Sequence, residues 1–271
     1  MIDCFGKDTT GLRQKKLFLF DMDGTIYEEE RLFEGALGLM ERITDLQGRY
    51  VFITNNSSKS VKDYIAKVRR LGIEADEDNF FTSTQATAIY LNEHFPRQKV
   101  YCQGTASMLK ELLDLGIDAF GEACEDAGVV LVGFDTELTS QKIRTTCAML
   151  QKDIPFLATN PDLACPVEFG FIPDCGSICQ MLTNATGRKP LFIGKPEATM
   201  VDFVREKFGY SRQETCVIGD RLYTDIATGI HAGVDAICVL TGEATREDIE
   251  TGTIKPTYTL KSVDDLRRIL S

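Results

Sequence analysis

Asp21-Met22-Asp23-Gly24-Thr25 sets two carboxylates two residues apart, directly behind the apolar run Leu17-Phe18-Leu19-Phe20. In an open parallel α/β sheet, ligands sit just beyond the carboxyl ends of the strands. A carboxylate at Asp21 can attack there as a nucleophile. One at Asp23 can protonate a leaving group and later accept a proton from water. Gly24 lets the chain turn tightly, and Thr25 can hydrogen-bond the turn. The same five residues also suit an ordinary Asp-Gly turn after a strand.

Three further apolar runs end in residues of matching chemistry. Val51-Phe52-Ile53 leads into Thr54-Asn55-Asn56-Ser57-Ser58. A hydroxyl and backbone N–H groups at a strand end can hold a phosphoryl oxygen, or they can cap the next helix. Ile193-Gly194-Lys195-Pro196 places a lysine after a strand and before a helix, where it can neutralise both a nucleophile and a phosphoryl group. It is not a Walker A loop, because Lys189 stands where the first glycine belongs and Pro196 replaces the Ser/Thr. Val217-Ile218-Gly219 ends in Asp220, with Asp225 five residues on. Asp21 and Asp220 offer the hard oxygen ligands that Mg2+ prefers, with Asp225 orienting them, although Thr224 or Asp225 also suits a helix cap. Each segment alone reads as a turn or a cap. Together they bring carboxylates that cannot all ionise side by side without a cation, and a divalent metal with Lys195 provides that charge.

Alternating elements must carry these ends. After the first strand, Phe33 to Leu46 has helical spacing and stops near Gly48. Tyr50 to Ile53 reads as a strand, and Ser60 to Leu71 as a helix closed by Gly72. Strand–helix–strand–helix implies right-handed crossovers and a parallel sheet. The alternation resumes with strands at 191–193, 216–218 and 236–240 and helices at 197–208, 223–231 and 263–270. The middle has strands at 129–132 and 156–158 and helices at 107–115 and 140–150. It is long enough for a second α/β domain inserted into the first.

Composition removes other classes. A formal charge of −11 over 271 residues repels phosphate polymers, so no nucleic-acid partner is expected. No apolar run reaches the roughly 20 residues that cross a bilayer, and Met1 to Lys16 does not read as a secretory signal. Nine cysteines without CxxC pairs suggest reduced thiols and a cytoplasmic location. Cys175 and Cys179 have the spacing of buried helical thiols, with a redox role as the lesser reading. Two histidines, far apart, leave no histidine-rich zinc site, and no GxSxG turn supports a serine triad.

With these segments in hand, the chain resembles the haloacid dehalogenase (HAD) superfamily of phosphohydrolases, in its NagD-type, p-nitrophenyl-phosphatase branch. DMDGTIY, TNNSS, GKPE and GDRLYTDI stand in the order of that superfamily's four motifs, and the likeness extends from Lys16 onward. It implies a Rossmann-like α/β core with helices on both faces of a parallel sheet, formed by residues 1–84 and 183–271. It also implies a smaller α/β cap at 85–182, between motifs two and three. Val132-Gly133-Phe134-Asp135 and Ala158-Thr159-Asn160-Pro161-Asp162 are similar to that branch's cap segments, although Ser140 stands where many relatives carry Tyr.

The implied roles are Asp21 as nucleophile and Mg2+ ligand, and Asp23 as acid/base and Mg2+ ligand through its backbone carbonyl. Thr54, the Asn55 backbone and Lys195 hold phosphate, Asp220 binds Mg2+, and Asp225 supports it. Cap loops near Asn160, Asp162 and Asp174 are expected over the phosphate site, although such residues also cap helices and loops. The resemblance further implies a small phosphorylated metabolite as partner, with homodimerisation through the cap. A phosphotransferase or phosphomutase on the same residues, or a phosphate-binding module without turnover, are the competing readings. Met1 to Gln14 matches nothing in the pattern.

Overall fold

The computed structural model describes residues 1–271, which separate into two compact units. The first comprises Met1–Thr54, Ile65–Phe81 and Lys195–Ser271; the second comprises Asn55–Tyr64 and Thr82–Gly194.

The main sheet has six strands in the order Tyr258–Leu260, Asp235–Val239, Thr215–Gly219, Leu17–Phe20, Arg49–Thr54, Phe80–Thr82. Leu17–Phe20 runs parallel to both of its neighbours, and the strands beyond Thr215–Gly219 continue in parallel. The chain therefore builds outward in one direction from Leu17–Phe20, then returns and builds outward in the other. Right-handed crossovers in the two directions put their helices on opposite faces. That is why Leu17–Phe20 is apolar at every position and wholly buried rather than alternating. The last helix, Val263–Leu270, packs on Ala36–Asp45, and Arg42 donates from its guanidinium to the Leu270 carbonyl at 2.9 and 3.0 Å.

Met1 to Gln14, unmatched by the sequence pattern, has a structural role. Cys4 N–H donates to the Thr259 carbonyl at 2.8 Å, and Thr259 N–H donates to Asp3 Oδ2 at 3.0 Å. These bonds occupy backbone groups of an edge strand that would otherwise offer a template for aggregation. Leu12, fully buried, anchors the segment, and Arg13 Nε donates to the Ile269 carbonyl at 2.8 Å.

The second unit has its own parallel five-stranded sheet, in the order Leu191–Phe192, Phe156–Ala158, Val129–Val132, Val100–Gln103, Ala119–Phe120. Its central strand shows how a continuous apolar run serves two faces. Val130 and Val132 enter one core cluster with Met149, Ile178 and Leu182. Val129 and Leu131 enter another with Leu91, Met108 and Leu112. Helices Ser140–Met149 and Cys175–Thr186 thus cover one face, and Ser83–His94 with Ala106–Asp114 the other. Burying each of these aliphatic side chains contributes about 1.5–3 kcal/mol.

Some elements differ from the sequence reading. The strand expected among the C-terminal ones at 191–193 is Leu191–Phe192, and it pairs with Phe156–Ala158 in the second sheet. The helix expected at 223–231 is a π-type turn, Leu222–Ile226, followed by a short helix, Ala227–His231. An antiparallel hairpin, Ala164–Val167 with Gly170–Pro173, carries no periodicity that announces it. Cys175 and Cys179 are buried on one helix, as their spacing suggests.

Candidate active site

The strand order reverses between Leu17–Phe20 and Thr215–Gly219, and a doubly wound sheet opens a crevice at such a point. Phe20 pairs with Ile218, so Asp21 and Asp220 leave adjacent strands almost in register. Asp21 N–H donates to the Ile218 carbonyl at 2.8 Å, which fixes the start of the turn.

Lys195 joins the pieces. Its Nζ donates to Asp21 Oδ1 at 2.6 Å and to Asp225 Oδ1 at 2.6 Å. It also donates to the carbonyl of Ile53, the residue before Thr54, at 3.3 Å. The ammonium is almost fully buried. Burial works against its charge, but Asp21 and Asp225 outweigh that cost and hold its pKa above the ordinary lysine value. Sequence reasoning gave Asp225 the task of supporting a metal ligand. The geometry gives it two further ones: it pairs with Lys195, and its Oδ2 accepts from Arg221 N–H at 3.1 Å. The π-type turn begins at the next residue, Leu222, a feature often found at functional sites.

Asp220 is held at both oxygens. Thr25 Oγ1 donates to Oδ1 at 3.1 Å and Glu243 N–H to Oδ2 at 2.8 Å. Two glycines press on it. A Cβ on Gly24, whose φ is +80°, would stand 2.7 Å from Asp220 Oδ2, and one on Gly242 would overlap the same atom. Thr241 Oγ1 donates to the Gly24 carbonyl at 2.6 Å, tying the two glycine turns together. Thr241 and Gly242 were missed from the sequence. The available signal was a Thr-Gly pair shortly after the strand ending at Val239.

The carboxylates of Asp21, Asp220 and Asp225 each place an oxygen within 4.8 Å of the others, with one lysine among them. Such a cluster resists full ionisation. Burial foremost, then Asp225 and Asp220 against the pull of Lys195, raises the Asp21 carboxyl well above the ordinary aspartate value. Burial and then Asp225 raise Asp220 to about 6. An all-oxygen acidic set with glycines cleared around Asp220 fits a hard divalent cation, which would relieve this repulsion.

The remaining predicted residues divide. Thr54 is buried at the end of its strand. Asp23 is half exposed and pairs with Lys67, whose Nζ is 3.8 Å from Asp23 Oδ1. Asn55, Asn160, Asp162 and Asp174 belong to the second unit and are buried there. Asn55 Nδ2 donates to Asp162 Oδ2 at 3.1 Å, and Asn160 Nδ2 to the Asn55 carbonyl at 2.8 Å. Ser83 Oγ donates to the same carbonyl at 2.6 Å. Asp162 N–H donates to Asn160 Oδ1 at 3.0 Å. Asp174 caps helix Cys175–Thr186. Asn160 and Asp162 thus fix Asn55, a connection that separations of more than a hundred residues hide from sequence periodicity.

Comparison with known proteins agrees with this architecture. A model for haloacid dehalogenase-like hydrolases matches residues 18–118, and a second HAD-hydrolase-like model matches residues 192–266. An acid sugar phosphatase of Staphylococcus epidermidis is 33% identical over 253 residues, spanning 93% of this chain and 97% of the relative. The crystal structure of a 4-nitrophenylphosphatase from Thermotoga maritima superposes with a TM-score of 0.91 at 37% identity, over 96% of this chain and 99% of the other. A glycerol phosphate phosphatase from Mycobacterium tuberculosis, solved with calcium, gives 0.87 at 26% identity, over 96% of this chain and 76% of the other. The chain belongs to the haloacid dehalogenase-like hydrolases. Within them it falls in the NagD-type, p-nitrophenyl-phosphatase branch and is a phosphatase. HAD phosphatases use a divalent metal, which accords with the acidic cluster. No helix is long and apolar enough to cross a membrane.

Proposed function

We propose that this phosphatase hydrolyses small sugar or polyol phosphate monoesters through an aspartyl-phosphate on Asp21, with Mg2+ as its cation. The observation that carries the reading is Lys195, buried and bonded to both Asp21 and Asp225 beside Asp220 at the point where the strand order reverses. The names of the sugar and glycerol phosphate phosphatases support the substrate class. The first unit acts as the catalytic core and the second as its cap.

In the first half-reaction an oxygen of Asp21 attacks phosphorus in line with the leaving oxygen. The bond from phosphorus to that oxygen breaks, and Asp23 donates its proton to the departing alkoxide. Lys195, the Thr54 hydroxyl and the Asn55 N–H hold the phosphoryl oxygens, where charge stabilisation is usually the largest contribution. In the second half-reaction the Asp23 carboxylate takes a proton from water as the water attacks phosphorus. Asp21 then leaves as a carboxylate and inorganic phosphate is released. When bound by Asp21, Asp220 and the Asp23 carbonyl, Mg2+ supplies further positive charge beside the phosphoryl group.

The test is acid quenching during turnover of a 32P-labelled sugar phosphate. Label retained on the protein, labile to hydroxylamine and absent in Asp21→Asn, is the expected result. Phosphate appearing on a second sugar rather than in water would identify a phosphotransferase instead.

A further inference from the structure

Lys67 belongs to no sequence motif discussed above, yet it touches the loop that carries Asp23. It lies on helix Val61–Arg70, anchored beside it by the fully buried Val68. Its Nζ stands 3.8 Å from the centroid of the Tyr27 ring and 3.8 Å from Asp23 Oδ1. Tyr27 is fully buried, and its backbone forms a bridge with Asp23. Gly24 N–H also donates to the Tyr27 carbonyl at 2.9 Å. The ring that seats the ammonium is therefore part of the same turn as the carboxylate it faces. One helical turn further, Arg70 approaches Glu30 at 3.7 Å, so one stripe of the helix faces the segment following Asp21.

The two partners differ in exposure. The Lys67 side chain is 13% exposed, and that of Asp23 is 48% exposed. An ammonium over an aromatic face is held by the ring's electron density, so Lys67 presents a seated charge to the more exposed Asp23 carboxylate. A pair with one exposed partner contributes little to stability. Its consequence lies in where it helps to hold the Asp23 carboxylate. Proton transfer depends steeply on such placement.

We propose that Lys67 is a positioning residue for Asp23, restricting the acid/base carboxylate through an ammonium seated on Tyr27. This rests on the acid/base reading of Asp23 given above. Lys67 exchanges no proton. Asp23 still delivers its proton to the leaving oxygen as that oxygen's bond to phosphorus breaks. Loss of Lys67 lowers the fraction of encounters in which Asp23 is in place.

The experiment compares kcat/KM for a hexose phosphate, whose alkoxide needs a proton to leave, with that for p-nitrophenyl phosphate, whose phenolate does not. Lys67→Met and Lys67→Gln are measured beside Lys67→Arg and Asp23→Asn. General acids contribute about 10²–10⁴-fold, so losing only the positioning is expected to cost about tenfold on the hexose phosphate. The loss on p-nitrophenyl phosphate should stay below about threefold, with recovery in Lys67→Arg. Equal losses on the two substrates in both Lys67→Met and Lys67→Gln, or no loss on either, overturn the proposal while leaving Asp23 in its role. If Asp23→Asn itself spares the hexose phosphate, the acid/base reading fails and the proposal falls with it.

Discussion

Two parallel sheets in this chain follow the same building rule, yet their strand ends have opposite chemistry. In the first unit, the turns after Phe20 and Gly219 gather Asp21, Asp220 and Asp225 around one lysine. In the second, the turns after Val132 and Ala158 gather hydroxyls, amides and two carboxylates that already have partners, Asp135 on Lys142 at 3.0 Å and Asp162 on Asn55 at 3.1 Å. Ser57 Oγ accepts from Phe134 N–H at 2.9 Å and lies 3.0 Å from Thr159 Oγ1, while Asn160 and Asp162 hold Asn55. The second set spends its polar atoms on internal hydrogen bonds and so specifies a backbone path. The first holds more negative charge than its lysine balances, a condition that is relieved by a cation or by protons. Fold alone does not distinguish a reaction centre from a structural junction; the charge left uncompensated at the strand ends does.

The sharpest way to break this contrast is Asp21→Asn. Turnover should fall by at least ~10³-fold. The thermal midpoint should hold or rise, because one carboxylate leaves a crowded cluster. A rate within tenfold of the parent would remove Asp21 as the nucleophile. Next comes metal withdrawal. Excess chelator should abolish activity and Mg2+ restore it, with a gain in unfolding free energy of about 2.7 kcal/mol when the ion is at 100 times its Kd. Full activity in chelator would leave the acidic cluster without its cation.

Asn160→Ala probes the second region. It removes a donor to Asn55 and an acceptor for Asp162 N–H, which should cost about 1–3 kcal/mol in chemical denaturation. Its activity loss should be far smaller than that of Asp21→Asn. An unchanged denaturation midpoint would show that the second network does not specify structure as argued.

The smallest effect concerns Glu111, a charged group inside the second unit. It is buried, its Oε2 has no hydrogen-bond partner, and burial raises its pKa from 4.5 to about 7. The folded state therefore keeps a proton that the unfolded chain releases earlier. The associated stability is fully present below pH 4.5 and declines as pH rises through about 7. Glu111→Gln should leave the thermal midpoint at about pH 4.5 nearly unchanged and raise it at about pH 8, by no more than ~3 kcal/mol of stability. The same offset at both pH values would mean that ionisation of Glu111 has no part in it.

Much of this was legible in the linear chain because it is local. Leu17–Phe20, Val129–Val132 and Phe156–Ala158 are short apolar runs that must be buried on both faces, and each chemical residue follows such a run directly. Val263–Leu270 shows the full helical stripe that its sequence predicts. Leu191–Phe192 illustrates the limit. The run is a strand, but pairing with Phe156–Ala158 rather than in the main sheet is decided by partners that local pattern does not name.

The amino-acid sequence alone determined most of the central strands and the motif residues at their ends, since each follows from neighbours a few positions away. Only the tertiary structure decided that Asp225 grips Lys195, that Gly242 clears room for Asp220, that Lys67 faces Asp23 and that Asn160 holds Asn55. Those contacts join residues between 22 and 105 positions apart, which meet only where the chain is folded, at distances set by sheet order and register. Periodicity of two or 3.6 residues carries no information at that range.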